Sequence, residues 1–248
     1  MGIFIKNNDQ VEKMRAASRI VAQAHEELEK YIKPGVTTGE LNKIAEEFIR
    51  GKGGIPSFLG YRGYPAATNM SVNDAVIHGI PGLRRLKNGD IISIDIGVIL
   101  NKFHGDAART HPVGEVKPQY VKLIEVTRQS FFEAIRYAKH GGHLNEVCSA
   151  IEDYVTSYGY TVVREWCGHG VGRQLHEDPQ IPNHRMKGRG AKIERNMTFA
   201  IEPMVNEGKA DVRILDDEWT VVTKDGKFSA HYENTIVVTD GEPEILTL

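Results

Sequence analysis

Four acidic side chains stand in strand-like sequence that is otherwise apolar. Ile91-Ile92-Ser93-Ile94-Asp95-Ile96-Gly97-Val98 alternates with period two, which sets Asp95 on the face opposite the even-numbered aliphatics. A turn about the Leu100–Asn101 bond pairs position n with 201 minus n, and a return strand from Phe103 to Thr110 then carries Asp106 directly opposite Asp95. Facing Cβ atoms lie about 5 Å apart, and like charges there are destabilising unless a cation sits between them. The alternative is that one Asp is solvated and the register slips. The second half repeats the problem. Glu202 follows Thr198-Phe199-Ala200-Ile201, and Glu233 falls within the apolar stretch from Phe228 to Val238.

Gly168-His169-Gly170-Val171-Gly172 adds a histidine in a segment where backbone and ligand can approach closely. It is no dinucleotide fingerprint, because Arg173 stands where the last glycine belongs. His176-Glu177 opens no H-E-x-x-H motif, since Gln180 fills the last position. There is no G-x-S-x-G elbow and no P-loop. Cys148 and Cys167 form no C-x-x-C, so a metal here needs His, Asp and Glu. Two divalent cations would balance Asp95, Asp106, Glu202 and Glu233, with His169 coordinating as a neutral ligand. Oxygen-rich sites with one imidazole suit Mn, Fe(II), Co or Zn. Two such ions about 3.5–4 Å apart and bridged by carboxylates form a hydrolytic centre.

Amphipathic segments frame these residues. Residues 8–32 carry Val11, Met14, Ile20, Val21, Ala24, Leu28 and Ile32 on one helical face and stop at Pro34-Gly35. Thr37 and Glu40 then form a capping box before a second helix through Leu41, Ile44, Ala45, Phe48 and Ile49. From about residue 118 the pattern returns with Leu123, Ile124, Phe131, Ala134, Ile135 and Ala138, breaks at Gly141-Gly142, and resumes with Leu144, Val147, Ile151 and Val155. Strands follow each helix pair, and Asp225-Gly226 signals a hairpin between 219–223 and 228–238. The order predicts one domain over 1–248 of two pseudo-repeats, about 1–115 and 116–248. Leu41 resembles Leu144, His78 resembles His169, Asp95 resembles Glu202 and Asp106 resembles Glu233 in turn, which aims the ligand-type residues at a shared axis.

Of 248 residues, 31 are basic and 33 acidic, a balance that argues against nucleic-acid or membrane-surface binding. No apolar run approaches a bilayer span, no basic-then-apolar leader is evident, and Lys6 spoils a myristoylation motif at Gly2. A cytoplasmic protein is expected.

The Asn73-Asp74-Ala75-Val76-Ile77-His78-Gly79-Ile80-Pro81 segment, Asp95-Ile96-Gly97, Gly105-Asp106, the glycine-flanked His169 and Ile201-Glu202-Pro203-Met204 together resemble type I methionine aminopeptidases. The similarity runs in order along essentially the whole chain. It implies an α+β "pita-bread" fold, two pseudo-symmetric halves with helices on a curved antiparallel sheet. It implies two divalent ions per chain, with Asp95, Asp106, His169, Glu202 and Glu233 as ligands and Asp106 and Glu233 bridging. His78 and His176 match two active-site histidines that bind no metal, and Glu202 is given a part in proton transfer. Phe58, Tyr61, Tyr64, Leu175 and Trp219 match the wall of a methionine pocket. Phe58 and Asn69 stand where many bacterial members carry Cys, a departure that bears on pocket shape. The implied substrates are N-termini of nascent proteins with a small second residue. A monomer, association with the ribosome, and no nucleic-acid or membrane partner are the remaining expectations. The insertion of type II enzymes finds no room in the 26 residues between His176 and Glu202.

Overall fold

The computed structural model describes residues 2–248. Its first half contains α1 (Asn8–Glu29), α2 (Thr38–Gly51), β1 (Ile55–Pro56), β2 (Asn69–Val72), β3 (Ala75–Ile77), β4 (Ile91–Leu100) and β5 (Phe103–Pro112). The second contains α3 (Pro118–Ile135), α4 (Leu144–Ser157), β6 (Thr161–Val162), β7 (Cys167–Gly170), β8 (Glu177–Pro182), β9 (Thr198–Ile201), β10 (Met204–Asn206), β11 (Val212–Ile214), β12 (Val221–Thr223), β13 (Ser229–His231), β14 (Asn234–Val237) and β15 (Glu244–Ile245). Every strand pair among the described residues is antiparallel.

The helices form where period and caps place them. Asn7 caps α1 reciprocally with Gln10, and Thr37 caps α2 reciprocally with Glu40, so the first orphan N–H groups are satisfied locally. The buried stripes Ile20, Val21, Ala24, Leu28 and Leu41, Ala45, Ile49 close over Ile92, Ile94, Ile96 and Val98 of β4. In the second half, Leu123, Phe131, Ala134, Val147, Ile151 and Val155 close over Phe199, Ile201 and Val205. No helix among the described residues is long and apolar enough to cross a membrane.

The β4–β5 hairpin turns at Asn101 and Lys102, both left-handed (φ 52° and 68°), the two-residue geometry that matches strand twist. Leu100 therefore pairs with Phe103, and Asp95 faces Ala108 while Asp106 faces Gly97. The expected direct Asp95–Asp106 pairing is thus off by two positions. An even shift keeps both side chains on one face, as diagonal neighbours. The Asp225-Gly226 turn forms, but its flanks diverge instead of pairing. The Thr223 N–H goes to the Asp74 carbonyl (2.9 Å) and the Ser229 N–H to the Asn73 carbonyl (2.8 Å), so the loop after β2 captures both.

Backbone hydrogen bonds recur between the halves. Gly35 N–H to Leu86 carbonyl matches Gly141 N–H to Ile193 carbonyl. Asn73 to Ile91 matches Val171 to Thr198, and Val113 to Asp90 matches Val238 to Met197. Residues 86–95 thus correspond to 193–202, which keeps the expected match of Asp95 with Glu202, while the other three matches shift. Ser71 pairs with Ser93 and His169 with Ala200, so His169 is the counterpart of Ser71 and not of His78. Gly97 pairs with Asp106 and Met204 with His231, so the counterpart of Asp106 is His231; Glu233 takes the place of Ala108. A third capping box, His143 with Glu146, matches Thr37 with Glu40, which moves the Leu41 equivalence from Leu144 to Val147.

Helix α1 lies against β5 where Gly105 carries no side chain. A Cβ there would fall 2.7 Å from the backbone N and Cα of Ser18. Gly105→Ala should lower stability by about 1–3 kcal/mol in urea unfolding, because helix backbone cannot give way as a side chain can. Gly51→Ala, at the end of α2 with open space around it, should be neutral or stabilising.

Candidate metal centre

The twelve residues expected as metal ligands, active-site histidines and methionine-pocket wall line one cavity of about 300 Å³. Phe58, Tyr61, Tyr64, His78, Asp95, Asp106, His169, Leu175, His176, Glu202, Trp219 and Glu233 surround it. Asn69, Arg62, Trp166 and Glu218 also line it. Of these, Trp166 carried a readable signal, an aromatic three residues before His169. Its ring stands edge-on to His78 at 4.9 Å.

The four carboxylates arrive from separate places. Asp95 and Asp106 project from β4 and β5. Glu202 follows β9, where Pro203, lacking an N–H, interrupts the ladder before β10. Glu233 sits in the matching break between β13 and β14, not inside a continuous strand, and exchanges backbone hydrogen bonds with Ala108 (3.0 and 3.3 Å). That exchange joins the two halves at the site. Arg109 reinforces it from behind, donating to Asn234 Oδ1 (2.6 Å) and the Thr247 carbonyl (3.2 Å).

Among the described residues, no Lys or Arg forms an ion pair with any of the four; their ionisable neighbours at that range are the imidazoles of His169 and His231, which burial keeps neutral. Asn69 Nδ2 donates to Asp95 Oδ2 at 2.7 Å. Asp95 Oδ1, Asp106 Oδ1 and Glu233 Oε1 are buried without any hydrogen-bond partner. Such atoms ordinarily find one, and carboxylates are rarely buried unpaired. Asp106, His169 and Glu233 offer one ligand atom each within 4.8 Å of one another, and Glu202, His231 and Glu233 form a second such group.

His169 is oriented for coordination. Its Nδ1 donates to the Gly170 carbonyl (2.9 Å), which leaves Nε2 as a lone-pair nitrogen 3.6 Å from Glu202 Oε1 and 3.9 Å from Asp106 Oδ2. Those spacings are too long for hydrogen bonds and suit atoms sharing an ion. Burial pushes His169 down to about 4, so it stays neutral. Burial raises Asp95 to about 6, and burial together with the neighbouring carboxylates lifts Asp106 and Glu233 well above their ordinary range; Glu202 is raised by burial. Two carboxylates 4 Å apart repel by about 4 kcal/mol at an effective dielectric of 20. Without a cation, the cluster keeps protons. The residues present therefore fit a divalent centre.

The remaining walls are aromatic or imidazole. Phe58, Tyr64 and Leu175 are buried, with Tyr61 and Trp219 packed against them. Tyr64 meets the Trp219 edge at 5.0 Å and hydrogen-bonds the Gly79 carbonyl at 3.0 Å. The His176 ring stacks on Tyr61 and bonds its hydroxyl through Nδ1 at 2.9 Å. His78 holds a left-handed backbone (φ 58°), a costly conformation for a non-glycine residue that places its ring beside Trp166. Burial lowers His78 to about 4 and His176 to about 3.

Residues 12–240 match metallopeptidase family M24. The chain belongs to this family. It is similar to the methionine aminopeptidase of Clostridium acetobutylicum (50% identity over 99% of each chain) and to methionine aminopeptidase 1 of Bacillus subtilis (53% identity over 94% of each). The crystal structure of methionine aminopeptidase from Thermotoga maritima superposes on this M24 chain with a TM-score of 0.97, at 44% identity and 99% coverage of each chain. The pita-bread architecture implied by the motifs is the one adopted.

Each raised carboxyl has a folded-state pKa above its unfolded value. Its contribution to the metal-free fold is complete below the unfolded pKa and is lost as pH rises from there through the folded one, which lies at about 6 for Asp95. The Tm of chelator-treated protein should therefore fall between about pH 5 and about pH 8, and divalent metal should reverse that trend. Calorimetry in buffers of different ionisation heat should show proton release on loading.

Proposed function

We propose that this chain removes the N-terminal methionine from nascent proteins in the cytoplasm, as a two-metal aminopeptidase in a single catalytic domain of two repeat halves. The observation that carries the reading is a shared wall. Four buried carboxylates and a neutral imidazole face the same cavity as Phe58, Tyr64, Leu175 and Trp219. Asp95, Asp106, His169, Glu202 and Glu233 would hold the ions, with Asp106 and Glu233 central to both. When bound, two divalent ions supply a water of near-neutral pKa and polarise the scissile carbonyl.

The chain's own groups do the rest. Phe58, Tyr61, Tyr64, Leu175 and Trp219 desolvate a flexible, polarizable methionine side chain and fix the first residue against the carboxylates. His78 and His176 stay neutral in neutral solution, and each offers one N–H toward the oxygen that gains charge. The Tyr61 hydroxyl and ring hold His176 in place for that task. Glu202 lies at the cavity wall, where it can accept the proton of the attacking water and return it to the departing amine. The preference for a small second residue is carried over from the resemblance.

Release of free methionine from Met-Ala-Ser and Met-Lys-Ser tests the reading. The metal-stripped chain should be inactive, and Co, Mn or Fe(II) should restore cleavage of the first peptide much more than of the second. Glu202→Ala should lower kcat by about 10²–10⁴-fold. Trp219→Ala should raise KM by about tenfold with a smaller effect on kcat. Metal binding without methionine release from either peptide would reject the assignment.

A further inference from the structure

His231 has no role in the set of five ligands, and yet it occupies ligand space. It is 1% exposed, and its Nε2 lacks any hydrogen-bond partner. That nitrogen lies 3.5 Å from Glu202 Oε2 and 4.0 Å from Glu233 Oε2. The distances repeat those of His169 Nε2, at 3.6 Å from Glu202 Oε1 and 3.9 Å from Asp106 Oδ2. The two imidazoles thus bracket the Glu202 carboxylate, one facing each oxygen. Both stand too far for a hydrogen bond and at the separation of donors around a common ion.

The fold arrives at the same place independently. The strand registers make His231 the counterpart of Asp106, with Met204 opposite it as Gly97 is opposite Asp106. The pseudo-two-fold thus places a ligand-capable side chain at this position in both halves. Its backbone is pinned across the axis, because His231 N–H donates to Thr110 Oγ1 (2.9 Å) and the same hydroxyl donates to the His231 carbonyl (2.8 Å). Those bonds fix the main chain, and the buried ring faces Glu202 and Glu233.

We propose that His231 Nε2 is a metal ligand, giving the centre a second imidazole on the side of Glu202 opposite His169. The inference rests on the metal centre proposed above. With Glu202 and Glu233, His231 forms one nitrogen-containing face, while Asp106, His169 and Glu233 form the other. A second nitrogen donor favours Co and Zn over Mn more than an all-oxygen face would.

Affinity alone does not separate a ligand from a hydrogen-bond donor to Glu202, since either loss weakens metal binding. The decisive readout is a count of coordinated rings. In the Co(II)-loaded full chain with ¹⁵N-histidine, two imidazoles should show contact-shifted ring N–H signals, and His231→Gln should show one. Chelator competition should find Co(II) bound at least about tenfold more weakly in that variant, with Mn affected less. One contact-shifted imidazole in the unmodified chain with both ions bound would overturn the proposal and leave His231 as an N–H donor to Glu202. That count needs no variant, so a misfolded His231→Gln does not spoil it. Failure of the chain to bind Co(II) at all would instead remove the metal centre itself, and this proposal with it.

Discussion

Mutual repulsion among Asp95, Asp106, Glu202 and Glu233 is the constraint around which the molecule is organised. All four are buried or nearly so, and no Lys or Arg among the described residues pairs with them. The fold holds them by backbone, which a charge cannot push aside. Two come from a tight hairpin and two from breaks in the ladder around Pro203. The helices on the outer face supply the apolar burial that keeps those strands in place. The unfavourable charge is thus built into a rigid frame, and a cation relieves it without asking the frame to move.

The pseudo-two-fold explains why the frame can do this with short strands. Ala108 and Glu233 occupy equivalent positions and exchange backbone hydrogen bonds, and the Thr235 hydroxyl bonds the Asp106 backbone as the Thr110 hydroxyl bonds that of His231. Each half therefore terminates the other's sheet at the point where the carboxylates converge. The symmetry is of backbone and not of chemistry. His169 corresponds to Ser71, and His231 corresponds to Asp106. One scaffold position can carry an imidazole on one side and a hydroxyl or carboxylate on the other.

Much of this was legible in the sequence, and the misses have physical causes. Helices α1 and α2 were readable from a 3.6-residue apolar period, with Thr37–Glu40 marking the start of α2; the Asn7–Gln10 box that starts α1 was shown by the structure. The face of Asp95 and Asp106 was readable because parity survives a shift of two. Their register was not, because it depends on Asn101 and Lys102 both adopting positive φ. The Asp225-Gly226 turn was visible, whereas the divergence of its flanks depends on carbonyls of Asn73 and Asp74 some 150 residues earlier. His231 stood two residues before Glu233 in plain view. Only the long-range register shows that it takes the position of Asp106.

Arg109 gives the molecule a further property. Its guanidinium reaches both Asn234 and the carbonyl of Thr247, whose own hydroxyl donates to Asn234 Oδ1 at 2.9 Å. Leu246 and Thr247 are buried, while Leu248 is exposed. The last turn of chain is thus a keystone for the wall that carries Glu233. An affinity tag fused after Leu248 hangs in solvent and leaves that wall intact. Removing Thr247 would take a carbonyl from Arg109 and loosen the seam between the halves, whereas removing the exposed Leu248 would not, so the boundary between harmless and disabling edits lies within a single residue.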